Sequence, residues 1–477
     1  MKVMFSVIRT PLLCIGLVLA TTLLGGAHVA VAAPVAQGAN ILPLVLNGNC
    51  LGGKPYTPFA VQLYSGSGLA SGKLPALNSS GATWVRNQVF WELVEPTNRT
   101  PPQYNWVVVD RTVGAVTQGC FHMILTHVSS PTWAATNAPG LIDKVGFDRF
   151  AQYIGALVER YDGDGIADAP GSPIVEYFEF YNEPDAGPRP HGEAWGNYGA
   201  EYAEMLKTVY PVIKAANPNA QVVFGGIAYD GFTENGGIFV RSFLDDALAA
   251  GAGDYFDIMN FHQYPAFAAA WTNNKGPGLL EKTEAIRQKL AEYGLDKPII
   301  ITETGWHNNA HPLEEFSSND EIQSRYVVSL FAQGLAADVK INTWWPFIDI
   351  GPTYEYDSGL ITVDGQLKPA YGVFQLMTQE LGSAQYVRTL TQAQTGNADL
   401  EVHEFTDTAT GQTLYVAWRN PVDNPSLPGL PLALNAAQVL VKDLYGATSV
   451  VNDADDGSAN GRVTVSVGRP VYIRVLQ

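Results

Sequence analysis

What most limits the fold of this chain is an alternation running from about residue 55 to residue 380. Short apolar runs take turns with longer segments whose apolar residues recur every three or four positions. A short apolar run bounded by turn residues suits a buried strand, and a three-and-four spacing suits a helix with one apolar face. Eight strand-like runs stand out: FAVQLY, TWVRNQVF, FHMILTHV, VEYFEFYN, AQVVFGG, FDIMNFHQY, KPIIITET and INTWWPF. Helical segments separate several of them, among them GFDRFAQYIGALVERY, YGAEYAEMLKTVYPVIKAA, LLEKTEAIRQKLAEYG and NDEIQSRYVVSLFAQGLAA. Repeated βα units of this kind predict an α/β fold, a (β/α)8 TIM barrel over residues 55–381. After KPAYGVFQLMTQELG the texture changes to short runs (EVHEFTD, TLYVAWRN, AQVLVKDLYG, RVTVSV, PVYIRVLQ) set between Gly, Asn and Asp turns. They predict an antiparallel β-sandwich over residues 382–477, with no convincing helix.

The first residues place Lys2 and Arg9 before an apolar run that ends in Ala30-Val31-Ala32, the pattern of a secretory signal removed before Ala33. An uncleaved membrane anchor is the alternative, but the run is short for a span and broken by glycine. Residues 33–54 read as a loose N-terminal segment. The mature chain is therefore expected outside the cytoplasm, secreted or periplasmic, with no membrane span. Loss of Lys2 and Arg9 takes the formal charge from −18 to −20, which argues against nucleic acid or an anionic membrane as partner and favours a neutral one. Cys14 leaves with the signal, so Cys50 and Cys120 remain, either as a disulfide or as two buried thiols.

In a (β/α)8 barrel the reacting groups sit at the C-terminal ends of the strands. The fourth run, VEYFEFYNEPD, carries Glu183 out of an apolar strand and stops at Pro184, which is expected to push Glu183 towards an extended backbone. The seventh, KPIIITET, delivers Glu303 at its end. Two glutamates facing each other across a barrel mouth suit hydrolysis of a glycosidic bond. One is protonated to help the leaving oxygen depart, and the other is ionised to attack the sugar. Glu179, on the fourth strand, reads as a structural partner for Arg86 on the second.

With those residues in place, the chain resembles glycoside hydrolases of clan A, retaining (β/α)8 enzymes. Asn182-Glu183-Pro184 and Glu303 stand at the clan's acid/base and nucleophile positions, His262 and Tyr264 in FHQYP have its His-x-Tyr spacing, and Trp345 with Asp349 in WWPFID matches its strand-eight ending. The Asn-Glu-Pro site and the appended sandwich are similar to families 5 and 39, and TETGW to the β-1,3-glucanases of family 17. The resemblance implies a secreted retaining β-glycosidase acting on an oligo- or polysaccharide, a monomer that needs no cofactor for catalysis. Glu183 would be acid then base, and Glu303 the nucleophile, supported by Tyr264 and Arg86. Asn182 would bond the sugar's 2-hydroxyl, His127 and His262 would position these groups, and Trp345 would offer a flat face to the ring. Trp133 lines the cleft or packs beside it. His127 and Trp344 each have a plain alternative as core residues. β-Xylosides, β-glucans and mannans stay open, as do exo and endo action. A non-catalytic polysaccharide-binding barrel and a transglycosylase are the competing readings.

A separate motif, D-x-D-G-x-x-D, sets Asp162, Asp164 and Asp168 in a turn before the fourth strand, at the barrel end opposite the chemistry. Clustered carboxylates with a glycine turn suit a structural calcium ion, the alternative being a solvated acidic turn. The run NDADDG near Asp453 reads as a solvated hairpin turn.

Overall fold

The computed structural model describes residues 54–64, 73–137, 140–187, 194–268, 271, 276–310 and 317–476. The chain divides into Met1–Leu44 and Val45–Gln477, and every described residue belongs to the second unit. The expected signal, its cleavage before Ala33, and Cys50 lie outside the described residues.

Eight parallel strands form one sheet: β1 (Phe59–Leu63), β2 (Trp84–Phe90), β3 (His122–Ser129), β4 (Tyr177–Phe180), β5 (Gln221–Val223), β6 (Met259–Gln263), β7 (Ile299–Thr304) and β8 (Val339–Trp344). Their order is β5-β4-β3-β2-β1-β8-β7-β6, and the bridges Val223–Ile258 and Ile227–Phe261 join the two edges into a barrel. Each strand is followed by a helix: α1 (Leu74–Ser79), α2 (Val107–Gln118), α3 (Phe147–Arg160), α4 (Gly199–Ala216), α5 (Phe243–Ala249), α6 (Leu279–Glu292), α7 (Asp320–Ala336) and α8 (Pro369–Leu381). Among the described residues no helix is long and apolar enough to cross a membrane.

Local chemistry accounts for these elements. In α3, Phe150, Ala151, Ile154, Leu157 and Val158 form the buried stripe, with Asp148 in the first turn and Arg160 in the last, as the helix dipole favours. α7 starts where the Asn319 side chain accepts the N–H groups of Glu321 and Ile322. It is buried on all sides from Ile322 to Gly334, because the sandwich covers the face the barrel leaves open.

Side chains on the inner face of the barrel lie in layers. Ala60, Trp84, Ile124, Val223, Ile258, Ile300 and Ile341, with Tyr177, plug the N-terminal end. Two residues further along the strands, the same face carries Gln62, Arg86, Thr126, Glu179, Asn260 and Thr302, all buried. An apolar floor thus carries a buried polar layer, and the candidate site stands on it.

The C-terminal sandwich pairs a six-stranded sheet with a two-stranded one. The first has the order β14-β13-β16-β11-β10-β9 and the second is β12-β15, built from β9 (Ala384–Thr389), β10 (Leu400–Asp407), β11 (Thr413–Arg419), β12 (Leu430–Asn435), β13 (Gln438–Lys442), β14 (Thr448–Asn452), β15 (Arg462–Val467) and β16 (Val471–Val475). Its own core includes Val402, Leu432, Val439, Val463, Val465 and Ile473. Phe405, Leu414, Val416, Trp418 and Tyr472, on the other face of the large sheet, belong to the barrel's cluster. Strands β9, β12 and β14 were not apparent from the sequence, and a short helix, Gln392–Thr395, capped by Thr391, stands where none was expected. The acidic run is not a hairpin turn either: Asp453–Asp456 leads from β14, paired with β13, to β15, paired with β12, and so carries the chain between sheets. Cys120 is disulfide-bonded, and its carbonyl accepts the N–H of Lys54 at 2.8 Å.

Candidate active site

Arg86 organises the centre. The strand period of two turns it inward with Gln62 on β1 and Thr126 on β3, its register partners or their neighbours. A guanidinium has five N–H donors in a fixed plane, and here each finds an acceptor. Nε donates to Glu179 Oε2 (2.8 Å) and Thr126 Oγ1 (2.9 Å), Nη1 to Gln62 Oε1 and Glu303 Oε1 (2.7 Å), and Nη2 to Glu179 Oε1 (2.9 Å) and Asn182 Oδ1 (2.8 Å). Burial acts to raise the Glu179 pKa, but the Arg86 charge and its hydrogen bonds outweigh burial and hold it below the usual carboxylate range. Glu179 is thus the structural counter-ion expected of it. Arg86 serves Glu303 as well.

Glu303 reaches the interior through a break in the strand period. Thr302 already faces inward, with its Oγ1 against Glu179 (3.1 Å) and Asn260 (2.9 Å), so a regular strand would turn Glu303 away. The register shifts between Phe261 and His262 and again along β7, and this irregularity turns both side chains to the same side. Glu303 Oε1 then accepts from Arg86, and Oε2 from the Tyr264 hydroxyl at 3.0 Å. Burial, followed by the Glu303 charge, keeps the Tyr264 phenol protonated well above its ordinary range.

Glu183 follows the end of β4 by three residues. Its backbone is not extended as expected: φ is +46°, in the left-handed region, two residues after Tyr181 at +67°. The proline does exclude the right-handed helical region, but the N–H of Glu183 donates to Gly226 O (2.9 Å) and Asn182 bridges to the same glycine, which curls the chain tightly over β5. A non-glycine residue there costs on the order of 1–3 kcal/mol, a cost repeatedly met at functional sites. Gly226 is itself constrained, since a Cβ on it would lie 2.3 Å from His262 Nε2. The His262 ring occupies that space, with Nδ1 3.2 Å from Glu183 Oε1 and Nε2 3.2 Å from Thr302 Oγ1. Burial acts to lower the His262 pKa, but the carboxylates of Glu303 and Glu183 outweigh it and raise it above the ordinary histidine value.

One oxygen each of Glu183 and Glu303 and one nitrogen of His262 all lie within 4.8 Å of one another. The two acids have unlike surroundings. The Glu183 side chain is 25 % exposed beside an imidazole, whereas that of Glu303 is 8 % exposed against a guanidinium and a phenol. Trp345 is nearby, its ring 6.2 Å from that of Tyr264 and edge-on to it, with its Nε1 donating to Tyr64 Oη at 2.8 Å.

Other residues singled out in the sequence are not brought here. His127 is a correction. Thr126 takes the inward position, so His127 faces the helices, buried among Phe150, Tyr181, Tyr153 and Trp91, and burial pushes its pKa down to about 3. Trp133 packs edge-on against Trp91 at 5.0 Å with Arg149 over its ring, in the same outer aromatic cluster. Asp349 pairs with Lys368 at 2.8 Å and accepts the Gly359 N–H, and Trp344 is a core residue. The sequence reading missed Gln62, Thr126, Asn260, Thr302, Tyr64 and Tyr354. The last two are tyrosines whose pKa values are raised first by burial and then by the Glu303 charge. At the other end of the barrel, one carboxylate oxygen from each of Asp162, Asp164 and Asp168 lies within 4.8 Å of the others.

Comparison with known proteins identifies the family. The family model for cellulase (glycosyl hydrolase family 5) matches residues 67–344, more than half of the chain. No curated protein sequence matches it. Among solved structures, a family 39 glycoside hydrolase from Bacteroides cellulosilyticus WH2 is 19 % identical, with a TM-score of 0.65 over 88 % of this chain and 80 % of that one. The catalytic domain of a GH30 xylanase C from Talaromyces cellulolyticus is 15 % identical (TM-score 0.57, 89 % and 98 % covered), and a glucosidase from Croceicoccus marinus is 14 % identical (TM-score 0.55, 84 % and 91 % covered). These likenesses are of fold.

Proposed function

The chain belongs to glycosyl hydrolase family 5 and is a glycosidase, and on that premise we propose that it is an exported, retaining β-glycosidase that works by double displacement through Glu183 and Glu303. Glu303 attacks the anomeric carbon while Glu183 protonates the departing oxygen. Glu183 then takes a proton from the water that releases the sugar from Glu303. The observation that supports retention is that one oxygen of Glu183 lies within 4.8 Å of one oxygen of Glu303. Retaining pairs stand about 5–5.5 Å apart, and inverting pairs need about 6.5–9.5 Å to admit a water. Arg86 and the Tyr264 hydroxyl each bond one oxygen of the nucleophile and fix its orientation, and Asn182, fixed through its Oδ1, keeps its amide N–H groups for a sugar hydroxyl. Because Arg86 has no donor left over, it has nothing to offer an acidic sugar, which supports a neutral glycan as substrate. The Asp162-Asp164-Asp168 turn would hold a structural calcium ion away from the chemistry. Export rests on the pattern of residues 1–32.

Mass spectrometry of the intact protein after incubation with activated 2-fluoro glycosides of glucose, xylose and mannose tests the reading. A single added sugar is expected on the wild type and none on Glu303→Gln. Should the wild type cleave a glycan with inversion of the anomeric centre, as NMR of the fresh product would show, the double-displacement reading fails.

A further inference from the structure

The bond between His262 and Glu183 is only as good as the placement of the imidazole, and that placement is held from behind. Lys282, in the first turns of α6, is wholly buried, as are Leu279, Thr283 and Ile286 of the same helix. Its Nζ donates to Asp230 Oδ2 at 2.6 Å and to the main-chain carbonyl of His262 at 2.7 Å. The ammonium also lies 5.6 Å from the Phe261 ring and 5.9 Å from that of Trp271. Asp230 stands in the segment after β5, itself 3 % exposed, and its Oδ1 has no hydrogen-bond partner among the described residues.

Taking an ammonium and a carboxylate out of water costs several kcal/mol each, and a well-packed apolar pair is often as stable. Packing alone is therefore a poor reason for this pair. What an apolar side chain cannot do is grip the His262 carbonyl. The other ties on this strand end share one purpose: the His262 N–H donates to Ile227 O (2.8 Å), Gln263 Nε2 to Pro277 O (2.8 Å), and Thr304 Oγ1 to Gln263 O (2.7 Å). The end of β6 is thereby fixed to the segment after β5, to β7 and to the residues just before α6, and Lys282 is the tie that holds the carbonyl of His262.

We propose that Lys282 and Asp230 are positioning residues for glycoside cleavage, holding the His262 peptide so that Nδ1 meets Glu183 while Nε2 meets Thr302. The proposal rests on the reading of Glu183 as the acid/base. The charged groups around the imidazole are Glu183 and Glu303 in front, Arg86 and Glu179 below, and the Lys282–Asp230 pair behind. Without the clamp the ring slides off Glu183, and the acid is no longer aimed at the glycosidic oxygen.

Leaving-group dependence tests this. A phenyl glycoside needs its departing oxygen protonated, whereas a 2,4-dinitrophenyl glycoside hardly does. kcat/KM is measured on both aryl β-glycosides of whichever of glucose, xylose or mannose the wild type cleaves. Lys282→Met should lose roughly tenfold or more on the phenyl substrate and less than about threefold on the dinitrophenyl one. In a Glu183→Ala background it should add no further loss. The double variant Lys282→Met/Asp230→Leu leaves no buried charge unpaired, and it carries the same test where the single variant does not fold. Equal losses on the two substrates, or none, overturn the proposal. Glu183→Ala run alone separates the two ideas. A split there with none in Lys282→Met defeats the positioning role only, and no split in Glu183→Ala defeats the acid/base reading and the proposal with it.

Discussion

With every N–H of Arg86 committed, the guanidinium acts as a rigid hub for the residues around it, and its loss is felt at two carboxylates at once. Arg86→Met leaves Glu179 and Glu303 buried without their counter-ion, and removal of one member of a buried pair costs about 3–5 kcal/mol. Urea unfolding should show that loss, with activity lost in the folded fraction. Glu183→Gln should lower kcat/KM on a poor leaving group by roughly 10²–10⁴-fold, as removal of a general acid does, with circular dichroism unchanged. His127 makes a pH prediction. Its folded pKa is about 3 against an ordinary 6.5, so between those values the unfolded chain binds a proton that the folded one refuses. Stability is therefore full above about pH 6.5 and falls as pH drops towards 3. Thermal unfolding of His127→Phe should show a shallower loss over that window than the wild type. At this scale the sequence was legible where a strand visibly ends, as at Asn182-Glu183-Pro184 and Thr302-Glu303-Thr304. It was illegible where a role depends on register. Nothing in the string places Gln62, Thr126 and Glu179 around Arg86, and the irregularity that turns both Thr302 and Glu303 inward breaks the period a reader relies on. His127 was misplaced because its parity relative to Thr126 was not followed.

The eight strands and the long helices of the barrel were readable, since each is a sustained periodic run. The strands of the sandwich that escaped notice have weak patterns. β9 alternates half-buried with exposed positions on an edge, and β14 is almost wholly exposed. Their pairing, not their composition, makes them strands. The turn Asp162 to Asp168, between α3 and β4, carries the prediction proper to this scale. Calcium should raise the melting temperature by several degrees, reversibly with a chelator, and Asp164→Asn should remove the response. A site occupied at about 100 times its dissociation constant contributes about 2.7 kcal/mol. An unchanged melting temperature would leave an acidic turn and nothing more.

At the scale of the molecule, the sandwich is part of the barrel's wall. Arg325 on α7 donates to the carbonyls of Val422 and Asn424, Gln333 donates to Glu401 at 2.6 Å, and Arg474 joins Glu380 on α8 to Asp407. A chain cut after Gly382 should therefore aggregate, as size-exclusion chromatography of the refolded product would show, because it bares the apolar surface that Phe405, Val416, Trp418 and Tyr472 cover. The order of strands in the large sheet has a bearing on biosynthesis. β16, which leaves the ribosome after the fifteen strands described before it, lies between β13 and β11 in the middle of that sheet. Until it arrives, the β13–β14 hairpin and the β9–β11 meander have no backbone contact with each other. The large sheet thus stays in two separate pieces until residue 475 is made, so its closure is the last step in building the sandwich.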